Sequence, residues 1–597
     1  MKKNICQGPG LRAQGFSRTL TQGPSRKVAQ GLSRRVAQGF SLAILLALFP
    51  IALSSRSAPG VESKVDAVFA KYSASTPGCA VSVATGGAPV LAKGYGMADL
   101  EHDVKIGPET IFEAGSVSKQ FTAAAVMLLA RDGKLSLDDQ VRKYIPELPD
   151  YPFPPAEASA GQGEAARKPQ AVKAGGSPLT IRHMLNHTSG LRDWGSVAGI
   201  AGWPRGTRVH THAHVLEIVS RQRALNFTPG TRWSYTNTGF NLAAVIVERV
   251  SGQSFQAFTH DRLFQPFGMM HTSWRDDYTR IVKGRALAYS ERDGAFRTDM
   301  PFENVYGNGG LLTTVGDLLK WNAHYDAPHA GDAALVAEQQ KAGTFSDGRV
   351  HGYGLGLFIG SYKGLREVSH SGSTAGYSAF LTRFPDQRVS IAVLCNVGMD
   401  ATGVAHQVSD LYLGGEIKAS EPVATHSLTS AELERLAGLY RSDTTGVPLT
   451  IAGGKGGPHA GRFGTLFPQT GMRFLDAGQA TWDLDASGIR LTDEYGSTEH
   501  FERVPPAAYT DQQIAGLAGT YTSDEAEAVL TAVVENHALV LRRRPDVTIR
   551  LTPTYADAFT AGQLGTVIFK RDATGRSSEL SVVQDRVWNM RFQRKGT

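Results

Sequence analysis

The chain has 597 residues, of which 41% are apolar, so it is long enough to form several domains with hydrophobic cores. This composition excludes an intrinsically disordered protein. The formal net charge of +7 would suit a polyanionic partner, but residues 1–60 hold nine lysines and arginines and no acidic residue. The rest of the chain is close to neutral, which argues against nucleic acid as a partner.

The N-terminal segment has the layout of a secretory signal peptide. Its basic stretch leads into an apolar run at residues 42–53, which is too short to span a bilayer, and a small-residue segment follows. We therefore predict a leader over residues 1–58, cleaved near Ala58, with an uncleaved interfacial anchor as the alternative. The mature chain is then expected to be periplasmic or secreted, without a stable membrane span.

An α/β domain is predicted over residues 61–415, because short β-rich runs alternate there with helical stretches. The patterns predict strands at 79–83 and 391–395 and helices at 117–131 and 240–250. Residues 151–177 are rich in proline, alanine, glycine and charge and show no periodicity, which predicts a surface insertion.

Cysteine and histidine spacing gives no reason to expect a metal or cofactor. Cys79 and Cys395 lie in apolar, β-branched runs, which favours buried free thiols over a disulfide. His183 and His187 lie four residues apart, a spacing that could hold a metal on a helix. No third ligand is evident, so we interpret both as scaffold histidines and predict no metal site.

Two all-β modules are predicted after the α/β domain, at residues 431–505 and 511–597. The segment Leu-Ala-Gly-x-Tyr at 436–440 recurs at 517–521, and Phe-x-Arg at 501–503 recurs at 592–594. The composition is strand-like with frequent glycine turns. Two tandem antiparallel, barrel-like modules are the simplest interpretation, because closing a sheet removes its edges.

The first chemical motif is the pair Ser116 and Lys119, at the start of a predicted amphipathic helix. Residues three apart lie on one helix face, so the lysine amine is expected near the serine hydroxyl. The N-terminus of the helix offers backbone N–H groups to an oxyanion. A serine becomes a good nucleophile only when a base takes its proton, and a lysine serves as that base when its pKa is lowered.

Two further motifs follow in the order expected of one active site. Tyr235 and Asn237 precede a predicted helix, where a tyrosine can shuttle a proton and an asparagine can bind a substrate amide. His370, Gly372 and Ser373 lie just before a predicted strand. There the glycine lets substrate approach the strand edge, and the backbone N–H of Ser373 can complete an oxyanion hole.

The ordered set SxxK, YxN and HxG, with the scaffold segments at 179–191 and 308–311, resembles the serine β-lactamase-related family over about residues 61–413. This family includes class C β-lactamases, DD-carboxypeptidases, family VIII esterases and D-aminopeptidases. The resemblance implies an α/β (α+β) β-lactamase/transpeptidase-like domain with an antiparallel sheet flanked by helices. It implies that Ser116 is acylated, that Lys119 and Tyr235 act as acid and base, and that Asn237 orients substrate.

The third motif departs from that family's β-lactamases, which usually carry Lys-Thr-Gly where this chain has His370, Ser371 and Gly372. The resemblance implies that His370 and Gly372 shape the third wall of the site. An imidazole is only partly charged near pH 7 and is a weaker partner for a carboxylate. This favours a peptidase, amidase or esterase over an efficient β-lactamase.

The two C-terminal modules resemble the architecture of D-aminopeptidases, in which a loop of the last module reaches the active site. By this resemblance we expect a loop within residues 521–597 to narrow the site. The predicted function is that of an exported serine hydrolase acting through a Ser116 acyl-enzyme on an amide or ester bond. The expected partner is a small-molecule or peptide substrate, which includes peptidoglycan-derived peptides.

Two alternatives remain open at this point. A non-catalytic protein that binds or senses peptidoglycan fragments would be expected to carry a broken motif set, whereas Ser116, Lys119, Tyr235 and Asn237 are all present. The second alternative is a weak β-lactamase. A Ser-His-Asp hydrolase is disfavoured because the chain lacks a Gly-x-Ser-x-Gly elbow.

Overall fold

The computed structural model describes residues 60–151, 178–417 and 428–596, apart from 455, 456, 477, 479, 486, 494 and 495. The predicted leader at 1–58 and all but the first residue of the predicted insertion at 151–177 lie outside the described residues. That first residue, Tyr151, is 8% exposed and belongs to the main hydrophobic core, so it is not a surface residue. Within the described ranges, every helix is too short or too polar to cross a bilayer.

A six-stranded antiparallel sheet lies at the centre of the predicted α/β domain. In spatial order its strands are Phe358–Tyr362, Leu365–Thr374, Tyr377–Phe384, Val389–Cys395, Cys79–Thr85 and Ala88–Tyr95. The shorter strands of this region are Met97–Asp99, Val104–Lys105, Phe112–Glu113, Ser273–Trp274, Tyr289–Arg292, Ala295–Thr298, Leu311–Thr313, Gly343–Thr344 and Val350–His351. Because the strand Cys79–Thr85 pairs with Val389–Cys395, the two ends of this region meet in the middle of the sheet.

Helices cover both faces of this sheet. Successive residues of Cys79–Thr85 contribute alternately to two hydrophobic cores, as the pleat of a strand requires. The smaller core includes the helices Val61–Val68 and Ala401–Leu413, and the larger core is built around Lys119–Arg131 and Thr238–Ser251. Burial on both faces explains why the central strands are continuous apolar runs in the sequence.

The remaining helices surround the larger core or join it to other parts of the molecule. The α-helices are Ile181–Leu185, Trp194–Ile200, His212–Arg221, Phe255–Thr259, Val315–Asp326 and Ala333–Gln339. Single turns of other helix types are Gly115–Ser118, Val141–Lys143, His260–Phe264 and Gly414–Glu416. The helix predicted at 117–131 is therefore a 3₁₀ turn followed by an α-helix, and the helix predicted at 240–250 is two residues longer at its start.

Cys79 and Cys395 form a disulfide, so the prediction of two free thiols is wrong. Both cysteines are fully buried, as their apolar surroundings indicated. They lie directly opposite each other on paired strands, which brings the two sulfurs together. This register joins segments 316 residues apart, and the local pattern of one strand does not determine its partner.

Two antiparallel sheets follow the α/β region. The first has, in spatial order, the strands Gly457–Ala460, Pro448–Gly454, Gly438–Ser442, Thr498–Arg503, Ile489–Thr492, Thr481–Leu484, Arg473–Leu475 and Phe467–Pro468. The second has Val547–Arg550, Ala538–Arg543, Ala528–Glu535, Gly519–Ser523, Val587–Arg594, Ser577–Gln584, Thr566–Arg571, Ala558–Thr560 and Thr552–Pro553. We call them the middle sheet and the last sheet. Both are nearly closed and barrel-like, which confirms the all-β prediction.

The repeated sequence segments occupy equivalent positions in both sheets and form the same hydrogen bonds. A short helix, Ser430–Leu436 or Asp511–Ala515, precedes each sheet, and a single turn follows within it at Gly461–Phe463 or Gly562–Leu564. The repeated tyrosine hydroxyl donates to the leucine carbonyl four residues earlier, with distances of 2.8 Å from Tyr440 to Leu436 and 2.7 Å from Tyr521 to Leu517. The repeated arginine donates to the intervening alanine carbonyl, Arg503 to Ala437 and Arg594 to Ala518.

The cores of the two sheets are built differently. The core of the middle sheet consists of residues from that sheet and the helix before it. The core of the last sheet also contains Trp194, Ile200, Val215 and Ile218, which belong to the helices Trp194–Ile200 and His212–Arg221. The last sheet and these two helices of the α/β region therefore share one hydrophobic core.

Candidate active site

Ser116 lies on the 3₁₀ turn that leads into the helix Lys119–Arg131. The turn packs tightly against the strand Leu365–Thr374. A Cβ on Gly372 would lie 2.1 Å from the carbonyl oxygen of Ala114, and a Cβ on Gly115, whose φ is +50°, would lie 2.6 Å from the Ser373 nitrogen. Gly372 is thus required for the strand to approach the serine turn, whereas the sequence had suggested that it makes room for substrate.

Lys119 is fully buried and its amine contacts three oxygens. The distances from Nζ are 3.0 Å to the Ser116 Oγ, 2.9 Å to the Asn237 Oδ1 and 2.7 Å to the Asn308 carbonyl oxygen. Burial lowers the pKa of Lys119 well below its usual value, and the positive charge of Arg586 lowers it further. A neutral amine placed this close to a hydroxyl can accept the proton of Ser116.

Tyr235 faces Ser116 from the loop before the helix Thr238–Ser251. The Lys119 Nζ lies 4.8 Å from the centre of its ring, and the phenol forms a hydrogen bond with Ser116. Burial raises the pKa of Tyr235 to about 12, although the Ser116 hydrogen bond and Arg586 act in the opposite direction. The phenol is therefore protonated at neutral pH and can donate a proton.

Asn237 is fixed from two sides. Its side-chain oxygen accepts from Lys119, and its backbone N–H donates to the Asp193 Oδ2 at 2.8 Å. The other Asp193 oxygen caps the helix Trp194–Ile200 by accepting from the Ser196 N–H at 3.0 Å. Asp193 is a buried carboxylate that sequence analysis did not single out, and it holds the second motif in place.

His370 lies on the strand that forms the third wall, and it is 1% exposed. Its Nδ1 lies 2.6 Å from the Ser371 carbonyl oxygen, so Nδ1 carries the proton and Nε2 accepts from the Tyr353 hydroxyl at 2.9 Å. Burial, with the nearby charge of Lys119, lowers the pKa of His370 to about 3. The imidazole is thus neutral and both its nitrogens are engaged, which differs from the expected partly charged ring.

The two histidines His183 and His187 are both bonded to the backbone. The Nδ1 of His183 accepts from the Thr180 N–H and that of His187 from the Thr236 N–H, each at 3.3 Å. Because the helix Ile181–Leu185 ends before His187, the two rings do not share a helix. His187 packs on Tyr235, with ring centres 4.3 Å apart, and so supports the second motif.

Among the described residues, His324, His329 and Asp332 form the cluster that is most suited to a metal ion, with ligand atoms within 4.8 Å of one another. Arg131 donates to the Asp332 carboxylate and already balances its charge. This cluster is not part of the cleft described below.

The hairpin between Ser577–Gln584 and Val587–Arg594 of the last sheet reaches the site, and we call its tip, Asp585 and Arg586, the hairpin tip. The Arg586 carbonyl oxygen accepts from the Asp193 N–H and from the Asn226 side chain, both at 3.1 Å. Its guanidinium lies 4.8 Å from the centre of the Tyr235 ring. Sequence analysis expected a loop of this module at the site but did not identify Arg586.

The site opens as a cleft of about 580 Å³. Its walls include Ser116, Tyr235, Asn237, His370, Gly372 and Ser373. Lys119 lies beneath them and reaches Ser116, so the structure brings together all seven residues predicted for the site. Arg205, Asp400 and Arg586 also line the cleft and were not predicted.

The chain belongs to the family described as Beta-lactamase, whose model matches residues 65–406. It is a serine hydrolase with a β-lactamase/transpeptidase-like fold, as the motifs predicted. It is 27% identical to a D-aminopeptidase of Brucella anthropi over 85% of this chain and 93% of that protein. It is 26% identical to a D-aminopeptidase of Brucella ovis over 88% and 96%. A solved structure, the octameric penicillin-binding protein homologue from Pyrococcus abyssi, matches with 23% identity and a TM-score of 0.50, covering 82% of this chain and 98% of that one.

Proposed function

We propose that this protein is a D-aminopeptidase-type hydrolase, which cleaves the amide bond after an N-terminal D-amino acid through an acyl-enzyme on Ser116. The observation that carries the proposal is the buried Lys119, whose amine contacts the Ser116 Oγ and whose pKa is lowered by burial and by Arg586, as a lysine base requires. The D-aminopeptidases of Brucella match nearly their whole length, which includes the region of the two C-terminal sheets.

In the acylation step, neutral Lys119 takes the Ser116 proton while Oγ attacks the substrate carbonyl carbon. The backbone N–H groups of Ser116 and Ser373 stabilise the negative charge that develops on the carbonyl oxygen. Protonated Tyr235 donates its proton to the leaving nitrogen as the C–N bond breaks, and the Lys119 proton restores the phenol. This order follows from the opposite pKa shifts, since Lys119 is the deprotonated group and Tyr235 the protonated one.

Deacylation reverses these roles with water in place of the amine. Water attacks the ester carbonyl, and its proton passes to Tyr235 and Lys119 as the Ser116 Oγ leaves and is reprotonated. Asn237 and Asn308 hold the lysine amine in line with the serine throughout. His370 supports the third wall as a neutral group and does not transfer a proton, because both its nitrogens are already bonded.

The test combines covalent labelling with turnover. Intact-mass measurement after a fluorophosphonate should show one adduct in the full-length protein and none in Ser116→Ala. The wild type should hydrolyse D-alanine p-nitroanilide faster than its L enantiomer, and Ser116→Ala should lose at least about a thousandfold in rate. Two results would overturn the D-aminopeptidase assignment but leave a serine hydrolase. In both, Ser116 is labelled, but the enzyme either hydrolyses the L enantiomer faster or hydrolyses only esters.

We also propose that the protein is exported. The basic N-terminal segment with its apolar run supports this, and so does the buried Cys79–Cys395 disulfide, since structural disulfides persist mainly in oxidising compartments. The N-terminal sequence of protein from a periplasmic or culture fraction should begin near Ala58. Recovery of the uncleaved chain in the cytosol, with both thiols reduced, would contradict export.

A further inference from the structure

The guanidinium of Arg586 is a charge without a counter-ion. It stacks on Tyr235, and among the described residues it has no ion pair and no hydrogen-bond acceptor. Its neighbour Asp585 pairs with Arg462 of the middle sheet and so does not neutralise it. Holding a half-buried cation without a partner is unfavourable, which makes the position suited to an anion that arrives with the substrate.

The other charged groups of the cleft already have partners within the protein. Both nitrogens of the Arg205 fork bind Glu303, and the Asp400 carboxylate caps the helix Ala401–Leu413 by accepting from the Gly403 N–H at 2.9 Å. His370 is neutral, and the Lys119 amine is fully buried and already contacts three oxygens. Arg586 is thus the cation of the cleft that remains free to bind an anionic group.

The backbone fixes where that anion would lie. The Arg586 carbonyl is bonded to Asp193 and Asn226, and the Trp588 N–H donates to the Asn226 Oδ1 at 2.8 Å, so the hairpin tip has a defined position beside Tyr235. In the proposed mechanism Tyr235 donates to the leaving nitrogen. In a peptide, the α-carboxyl carbon of the leaving residue is only two bonds, about 2.5 Å, from that nitrogen.

We propose that Arg586 binds the α-carboxylate of the leaving amino acid, so that the preferred substrates are short peptides that end one residue after the cleaved bond. This inference rests on the proposed function and names its substrate class: dipeptides with a free carboxylate rather than simple amides. Two guanidinium N–H groups can hold both oxygens of a carboxylate, which gives orientation as well as affinity. The anchor comes from the last sheet and takes over the carboxylate recognition that neutral His370 is not able to supply.

The matched substrates D-alanyl-glycine and D-alanyl-glycinamide differ only in the carboxylate. The wild type should cleave the acid on the order of tenfold to a hundredfold more efficiently, mainly through a lower KM. Arg586→Gln should bring the two kcat/KM values to within about a factor of two, and Arg586→Lys should keep part of the preference. Arg550→Ala, an exposed arginine of the same sheet, is the matched control and should leave the preference unchanged.

A binding measurement makes the result independent of turnover. Calorimetry on Ser116→Ala should show tighter binding of the acid than of the amide, and Ser116→Ala/Arg586→Gln should lose that difference. Equal binding of the two ligands to Ser116→Ala would overturn the carboxylate anchor, whatever the activity. If the wild type cleaves the amide and the acid equally well, the D-aminopeptidase assignment survives and this inference fails. If neither is cleaved but the acid binds through Arg586, the assignment fails and the anchor survives.

Discussion

The middle and last sheets share the repeated segments and the hydrogen bond from the tyrosine hydroxyl to the leucine carbonyl, yet they contact the α/β region in different ways. The core of the middle sheet is its own, whereas the core of the last sheet includes Trp194 and Ile200. The hairpin of the last sheet inserts Arg586 beside Tyr235. In the corresponding hairpin of the middle sheet, the carbonyl oxygens of Thr498 and Gly496 accept hydrogen bonds from Arg232 and Arg349 of the α/β region, both of which line a different cleft. Similar folds in tandem can therefore have unequal parts in one active site.

The largest expected effect comes from removing the last sheet. Truncation after Val504 should give insoluble or unfolded protein, because it exposes Trp194, Ile200, Val215 and Ile218, which are at most 5% exposed in the full chain. The measurement is soluble yield and the cooperativity of thermal unfolding. A soluble fragment with the wild-type substrate range would show that the last sheet is an accessory and would remove the difference between the two sheets.

The next largest effect on stability is expected from a buried arginine that joins the α/β region to the last sheet. Arg192 is 2% exposed, pairs with Glu525 at 2.7 Å and donates to the carbonyl oxygens of Trp588 and Asn589. Arg192→Ala should lower the free energy of unfolding by about 3–5 kcal/mol, because it removes the cation paired with the largely buried Glu525 and the hydrogen bonds to Trp588 and Asn589.

The matched control for this change is Arg441→Ala in the middle sheet. Arg441 also pairs with a glutamate, Glu502, but the two side chains are 43% and 40% exposed. This change should cost no more than about 1 kcal/mol in the same denaturant titration. Equal losses for the two variants would contradict the view that the buried ion pair between the α/β region and the last sheet contributes more to stability than an exposed pair within the middle sheet.

A smaller effect is expected of Arg586→Gln on the pH dependence of kcat/KM. With D-alanine p-nitroanilide, which has no carboxylate, the acidic limb of kcat/KM should report loss of the Lys119 proton. Arg586→Gln removes a positive charge that lowers the pKa of Lys119, so this pKa should rise and the limb should move to higher pH. The rate should fall more at pH 6 than at pH 9.

Two variants check the cause of that shift. Arg205 also lowers the pKa of Lys119 and Asp193 raises it, so Asp193→Asn should move the limb to lower pH if the protein stays folded. Arg550→Gln should not move it. If the acidic limb of kcat/KM does not move in Arg586→Gln, then Arg586 does not influence the pKa of Lys119. Its effect would then be limited to substrate binding.

The smallest effect is expected at the hairpin of the middle sheet. Arg349 is 45% exposed, pairs with Asp347 and donates to the Gly496 carbonyl oxygen at 3.2 Å. Arg349→Ala should change stability by about 0.5 kcal/mol or less and kcat/KM by no more than about twofold. A loss of activity comparable to that of Arg586→Gln would mean that both hairpins serve the site equally.

Short-range spacing was enough to predict part of this site. Ser116 and Lys119 are three residues apart on one helical segment, so helix geometry alone predicts their contact. The all-β character of the C-terminal region also follows from a local repeat. The catalytic roles assigned to these residues stay predictions until the variants are measured.

Local sequence patterns did not predict the contacts between segments that are far apart in the chain. Nothing in the strand around Cys79 identifies Cys395 as its partner, because strand patterns give the buried face and not the register between strands. Arg586 occupies a tight turn, where an arginine usually indicates a solvated surface, and only the packing of the last sheet brings it to Tyr235. Asn308 acts through its carbonyl oxygen, a group that every residue has.

The hydrogen bond between the Arg586 carbonyl and Asn226 can form only late in synthesis of the chain. These residues are 360 positions apart, so a ribosome adding 5–20 residues per second needs about 20 to 70 s to pass from one to the other. During that interval Ser116 and Lys119 exist without the hairpin tip beside them. The hydrolase is thus incomplete while it is being made, and its final specificity is acquired among the last steps of folding.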